Sequence, residues 1–221
     1  WFRQRGYLFL ADAAGADAMA RRAALQRACG ARSECWSQAQ VRAHVPGLAC
    51  DDVALALFGP EDGYLDPRAV LAGMRLLAAA AGATYVAAEV LHVERRAGRA
   101  SGVATSAGCI AAPVVVNAAG AFARAVGRAA GVDLPIDPVR QHLFRVELET
   151  PVPTRIPMIF DPDGTHWRLD DVADGSRRDR IVIGRSRAGE PPGENFACDR
   201  ARLVDEMLPV FARRHPDVKV G

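Results

Sequence analysis

Val114-Val-Val-Asn-Ala-Ala-Gly-Ala-Phe122 is the stretch that decides how this sequence is read. Val114 to Asn117 is an unbroken β-branched run, the pattern of a strand buried on both faces. It passes without a linker into Ala118-Ala119-Gly120 and then into a helical segment from Phe122 to Ala130, stopped by Gly131. A strand that turns directly into a helix through small residues lets a ligand approach the backbone closely. The first turn of the helix also leaves N–H groups unpaired. A tight turn in which glycine merely avoids a clash gives the same pattern. The residues leave both readings open.

Upstream, Asp66-Pro67 is an N-cap followed by proline at the first helical position. An Ala/Leu-rich helix runs from Pro67 to Ala81, with Gly82 as its C-cap. Thr84 to Ala87, Val90 to Arg95 and Gly102 to Ser106 read as strands, with Gly98 and Gly108 at turns, so this region is a small β-meander. Nearer the start, Gly6 to Ala11 and Val53 to Phe58 are strand candidates. Asp17 to Ala28 is a helix, and Ser37-Gln-Ala-Gln40 has capping-box spacing.

Downstream of Gly131 the character changes. Val139–Leu148, Ile156–Phe160, His166–Leu169 and Arg180–Ile183 read as strands, separated by turns at Pro162-Asp-Gly164 and Asp174-Gly-Ser176. Leu203 to Phe211 is an amphipathic helix. The arginines Arg177, Arg178 and Arg180 stand beside Asp174 and Asp179 and read as a solvated loop. A βαβ-like middle flanked by segments of a separate, antiparallel sheet predicts a mixed α/β (α+β) protein.

Composition narrows the function classes. The chain has 221 residues, half of them hydrophobic and a quarter charged, which excludes disorder and low-complexity filaments. A net charge of +2 with interspersed signs gives no footprint for nucleic acid or a bilayer. No apolar run is long enough for a membrane span. The first residues carry neither an initiator Met nor a signal peptide, so a piece of a longer chain is expected. Five cysteines without a CxxC pair argue against a zinc site or a disulfide framework and fit reduced thiols in a cytoplasm. His44, His92 and His215 are scattered, and no metal site is expected. Asp170-Asp171 are adjacent, point to opposite faces of a strand and make a poor acid/base pair.

The motifs together resemble a known family. Val114–Phe122, then Gly131-Val-Asp-Leu-Pro135 and Pro138-Val-Arg-Gln141, look like the FAD-dependent oxidoreductases that include D-amino acid oxidase, glycine oxidase and sarcosine oxidase. Glu61-Asp-Gly-Tyr-Leu-Asp-Pro67, Gly82-Ala-Thr-Tyr through Glu94, and Met158-Ile-Phe-Asp through Gly184 resemble family elements in the same order. Two departures stand out. No G-x-G-x-x-G window occurs anywhere in the chain, and the family's C-terminal flavin segment has no counterpart. Phe122 stands where relatives commonly carry Trp.

The resemblance implies a partial FAD-binding, Rossmann-like domain with a β-meander over residues 62–134. It implies a mixed-sheet substrate domain from residues 1–61 and 135–209, with 210–221 returning towards the FAD domain. It implies FAD as cofactor, with Val90, Ala118, Ala119 and Gly120 as contacts. Arg140, His142, His166 and Trp167 fall on the substrate side. The implied reaction is hydride transfer to flavin from a small amine, amino acid or 2-hydroxy acid, with no catalytic base evident. The implied partner is a small-molecule substrate, with a homo-oligomer as a further expectation. The missing glycine fingerprint supports an alternative, a cofactor-free binding module. A nicotinamide enzyme fits less well, because the meander between Thr84 and Ala111 is a flavoprotein habit.

Overall fold

A computed structural model describes residues 2–173, 175–186 and 189–221. In chain order the elements are β1 (Phe2–Arg3), β2 (Tyr7–Ala11), α1 (Ala16–Ala28), β3 (Glu34–Trp36), α2 (Gln38–His44), β4 (Leu55–Gly59), β5 (Tyr64–Leu65), α3 (Pro67–Ala80), β6 (Val90–Arg96), β7 (Arg99–Thr105), β8 (Gly108–Ala111), α4 (Ala123–Ala129), β9 (His142–Glu147), β10 (Met158–Phe160), β11 (Thr165–Leu169), β12 (Arg180–Arg185) and α5 (Leu208–Arg214). A short 3-10 turn precedes α4, and a wide helical segment, Arg202–Met207, runs into α5. The chain forms two compact units. One comprises residues 1–73, 141–188 and 197–221, the other 74–140 and 189–196.

The first unit is built on a seven-stranded mixed sheet in the order β3-β4-β2-β10-β11-β12-β9. Only β2 and β10 pair in parallel. Strand alternation sorts the sheet into two faces. Phe58, Leu8, Ile159, Trp167, Ile183 and Phe144 are paired across six strands and form one row of the core. Met207 and Phe211 pack on this side, as does Val41 of α2. Burying each such side chain is worth roughly 1.5–3 kcal/mol, so this row carries much of the unit's stability.

The same core holds a buried charge network. Arg214 is 1% exposed. Its Nε donates to Asp161 Oδ2 at 2.5 Å, its Nη2 to Asp52 Oδ2 at 3.0 Å and its Nη1 to the Ala49 carbonyl at 3.0 Å. The network ties the end of α5 to the loop before β4 and to the end of β10. Next to it, buried His215 accepts the Trp167 indole N–H at 3.1 Å. Val220 then bridges to Leu148 beside β9.

The second unit contains the antiparallel meander β6-β7-β8 with α4 packed on β6. Gly98 turns between β6 and β7 with φ of 79°. Arg124 and Arg128 on α4 both donate to Asp133 at 3.0 Å, folding the chain after Gly131 back onto the helix.

Local capping follows the sequence. Ser37 and Gln40 form the capping box of α2. Asp66 Oδ1 accepts the N–H groups of Arg68 and Ala69 at the start of α3. Two expectations are overturned. Thr84–Ala87 and Val114–Asn117 are not strands, because no described strand lies alongside to take up their N–H and C=O groups. Val114 and Val116 are 71% and 81% exposed instead of buried on two faces. Arg180, also grouped with the loop arginines Arg177 and Arg178, opens β12 as the Arg180–Ile183 strand reading expects. No helix among the described residues is long and apolar enough to cross a membrane.

Candidate functional site

The other face of the seven-stranded sheet carries side chains of a different kind. Pairing aligns Leu57, Phe9, Phe160, His166, Gly184 and Leu143 across it. Phe9 and Phe160 stack with centroids 4.4 Å apart, and Phe160 and His166 stack at 5.2 Å. Tyr7 joins at 5.4 Å from Phe160. These rings are only half-buried, and Leu143 is 65% exposed. The result is an accessible aromatic ledge on a rigid sheet.

Gly184 keeps the ledge open. A Cβ placed there would lie 2.6 Å from Leu143 Cδ2, 2.9 Å from the His142 carbonyl and 3.0 Å from His166 Nε2. His166 Nδ1 sits 3.2 Å from the Gly164 carbonyl, which fixes the ring on its strand.

Towards the far end of the same strands the face turns cationic. A cleft of about 330 Å³ is lined by Asp66, Pro67 and Arg68 at the start of α3, by Arg145, Arg168 and Arg180 from the sheet, and by Asp170, Val172 and Ala173 from the segment after β11. Asp170 Oδ2 lies 2.7 Å from both Arg145 Nε and Arg180 Nε. The Arg168 guanidinium stands 4.4 Å above the Tyr64 ring. Tyr64 in turn donates its hydroxyl to Asp171 Oδ1 at 2.6 Å, and Arg5 Nη2 holds the other oxygen at 2.9 Å. Burial first, then the bonded Asp171 carboxylate, pushes the Tyr64 phenol above its ordinary range, so it remains a donor. Asp170 and Asp171 lie just beyond β11, each with its own arginine partners.

The residues singled out from sequence are distributed over both units. His166 stands on the aromatic ledge. Trp167, its neighbour, is fully buried on the core side, because successive strand residues alternate. His142 is buried at the start of β9, where its Nε2 accepts the Asp199 N–H at 3.2 Å and its ring stacks on Phe144. Arg140, in the second unit, donates to Glu190 at 2.7 Å. Val90 opens β6 and is 39% exposed. Ala118, Ala119 and Gly120 form an accessible loop, held by Asn117, whose side chain caps Ala119 N–H and donates to the Ala123 carbonyl. Gly120 has φ of 55°, and nothing lies within 4 Å of the place where a Cβ would stand. Among the described residues no cluster of His, Cys, Asp and Glu could hold a metal ion.

Sequence reasoning missed Tyr7, Phe9, Phe160, Arg145 and Arg168. The signal was present as period two: starting from His166, Arg168 and Asp170 must share its face.

The family whose pattern spans residues 1–221 is described as DAO, FAD dependent oxidoreductase. The chain belongs to this family. It is 25% identical over 248 residues to FAD-dependent oxidoreductase domain-containing protein 1 of Xenopus laevis, covering 97% of this chain and 49% of that protein. It is 32% identical over 142 residues to the mitochondrial sarcosine dehydrogenase of Homo sapiens, covering 62% of this chain and 16% of the relative. The fold is that of L-proline dehydrogenase from P. horikoshii, with a TM-score of 0.81 at 22% identity over 100% of this chain and 59% of the other. Glycine oxidase from Geobacillus kaustophilus matches with a TM-score of 0.78 at 24% identity, again over 100% of this chain and 57% of the other. The chain thus spans about half the length of the first curated relatives it matches.

Proposed function

We propose that this DAO-family chain serves an FAD-dependent oxidation of a small amine, amino acid or 2-hydroxy acid, with the substrate lying on the open face of the seven-stranded sheet. The observation that carries the reading is that face itself. An aromatic ledge of Phe9, Phe160 and His166, kept open by Gly184, continues into a row of arginines. Rings accommodate a small apolar or cationic body, and guanidinium groups accept a carboxylate. The names of the relatives, which include sarcosine dehydrogenase, glycine oxidase and L-proline dehydrogenase, support a substrate of this size and charge.

The residues present fit part of the cofactor. The Asn117–Gly120 loop is accessible, made of small residues and free of obstruction at Gly120, as a close approach to a ribose or phosphate requires. Ala118, Ala119, Gly120 and the exposed Val90 are assigned to hold the flavin nucleotide. The bound flavin supplies the ring that accepts a hydride. The chain's own residues orient the substrate: His166 offers its ring face and its Nε2, and the arginine row sets the direction of the carboxylate. Trp167 acts from below, packing the strand that presents His166. Arg140 and His142, held by Glu190 and by the Asp199 N–H, fix the entry of β9.

The test is anaerobic mixing of the flavin-loaded, full-length polypeptide that carries residues 1–221 with glycine, sarcosine, L-proline and simple 2-hydroxy acids. Bleaching of the oxidised flavin by at least one class is expected, with a raised KM in His166→Ala. A protein that retains FAD and is bleached by none of them refutes the proposal and leaves the non-catalytic module.

A further inference from the structure

The cleft at the end of the aromatic ledge carries more positive charge than its own residues neutralise. Arg68, Arg145, Arg168 and Arg180 face two carboxylates, Asp66 and Asp170. Asp170 is committed to Arg145 and Arg180, and Glu147 adds a further contact to Arg180 at 3.3 Å. Asp66 is committed to the α3 backbone, accepting the N–H groups of Arg68 and Ala69. Neither Arg68 nor Arg168 has a carboxylate partner among the described residues. Arg168 donates to the Leu169 carbonyl and rests on the Tyr64 ring, which holds the guanidinium in place without neutralising it. The Tyr64 ring is itself pinned by the buried Asp171. Two guanidinium groups are therefore left without a carboxylate partner at a cleft of about 330 Å³, a size suited to one small ligand.

We propose that this cleft is a binding subsite for a small dianionic oxyanion group, a dicarboxylate or a phosphate, held by Arg68 and Arg168. Two surplus guanidinium groups match two negative charges, and forked N–H donors match carboxylate or phosphate oxygens in pairs. Arg168 is anchored on the Tyr64 ring, so its charge is set before the ligand arrives, and Arg68 is ordered on binding. The group reaches the cleft in one of two ways: as the two carboxylates of an amino dicarboxylate whose amine lies on the ledge, or as a free anion. The inference rests on the proposed function only for the first of these.

Malonate and inorganic phosphate are the probes, added to the full-length polypeptide at constant ionic strength and followed by melting temperature and by changes in amide NMR signals. A saturable rise with malonate or phosphate, and none with acetate at equal ionic strength, is expected. The signals of Arg68, Arg168 and Val172 move. Arg68→Gln weakens binding roughly tenfold, the effect of one charge-assisted hydrogen bond. Arg68 is exposed, so this variant tests the site without disturbing the core. Arg168→Gln gives a similar loss where it folds. No saturable effect above the ionic-strength control, or an affinity unchanged in Arg68→Gln, overturns the proposal.

Source is separated by kinetics. A lower KM for amino dicarboxylates than for monocarboxylates, abolished by Arg68→Gln, identifies a substrate arm. Malonate that binds without raising the KM of a monocarboxylate identifies a free anion. Flavin reduction by amines without dianion binding overturns this inference alone. Dianion binding without any flavin reduction overturns the functional reading alone.

Discussion

Replacing His215 with glutamine removes a pH dependence whose size follows from its surroundings. His215 is 2% exposed, and its Nε2 accepts the Trp167 N–H, so the folded protein requires the neutral ring. Burial first, then the adjacent Arg214 charge, lowers its pKa from 6.5 to about 4. In the unfolded chain the ring takes a proton as pH falls through 6.5. In the folded chain it does so only near 4. Between these values the unfolded state binds more protons, so stability falls with falling pH and levels off below the folded value. At about 1.4 kcal/mol per unit, the loss from pH 7 to about pH 4.5 attributable to this residue is roughly 2–3 kcal/mol. His215→Gln titrates in neither state, and its amide oxygen still accepts the indole N–H. Urea unfolding followed by the fluorescence of Trp36 and Trp167, both in the first unit, reads the effect. The variant is expected to be less stable at neutral pH because of imperfect packing, but its loss on acidification is smaller by that amount. Equal losses in the two proteins, within about 0.5 kcal/mol, refute the buried, neutral assignment.

Tyr64→Phe leaves the buried Asp171 with Arg5 alone. The expected cost is about 1.5–3 kcal/mol, the range for a hydrogen bond to a charged partner, read by urea unfolding. Gly184→Ala forces a methyl group into Leu143 and the His142 carbonyl. A loss of about 1–3 kcal/mol is expected, together with a raised KM because the group also crowds His166. Asp66→Ala removes the acceptor for two N–H groups at the start of α3 and costs about 1 kcal/mol in thermal or urea unfolding.

Much of the fold was legible because its signals are local. The Asp66 cap, the Ser37–Gln40 box and the Gly98 turn each lie within a few residues and are satisfied by those same residues. The Val114–Asn117 run was misread for a non-local reason. A continuous β-branched stretch reports that something should cover it, and the described strands do not supply the partner. The site was half legible. His166, singled out through resemblance, stands on the proposed ledge, whereas its neighbour Trp167 alternates to the buried core face. Phe9 and Phe160 lie about 150 residues apart and meet only through the parallel pairing of β2 with β10, which no local pattern announces. The cationic cleft was hidden in the same way. Arg180 stands next to Arg177 and Arg178 in sequence, and only the β11–β12 register sets it against Asp170.

The most direct test of the account places the two ligands on the chain separately. Amide NMR signals of the full-length polypeptide carrying residues 1–221 are followed first with FAD and then with a reducing amine or a non-reacting carboxylate analogue. The account predicts FAD-dependent changes at Val90 and Ala118 to Gly120, and substrate-dependent changes at Phe9, Phe160 and His166. FAD that binds while the Asn117–Gly120 loop is unaffected, or a substrate that leaves the aromatic ledge unchanged, contradicts it.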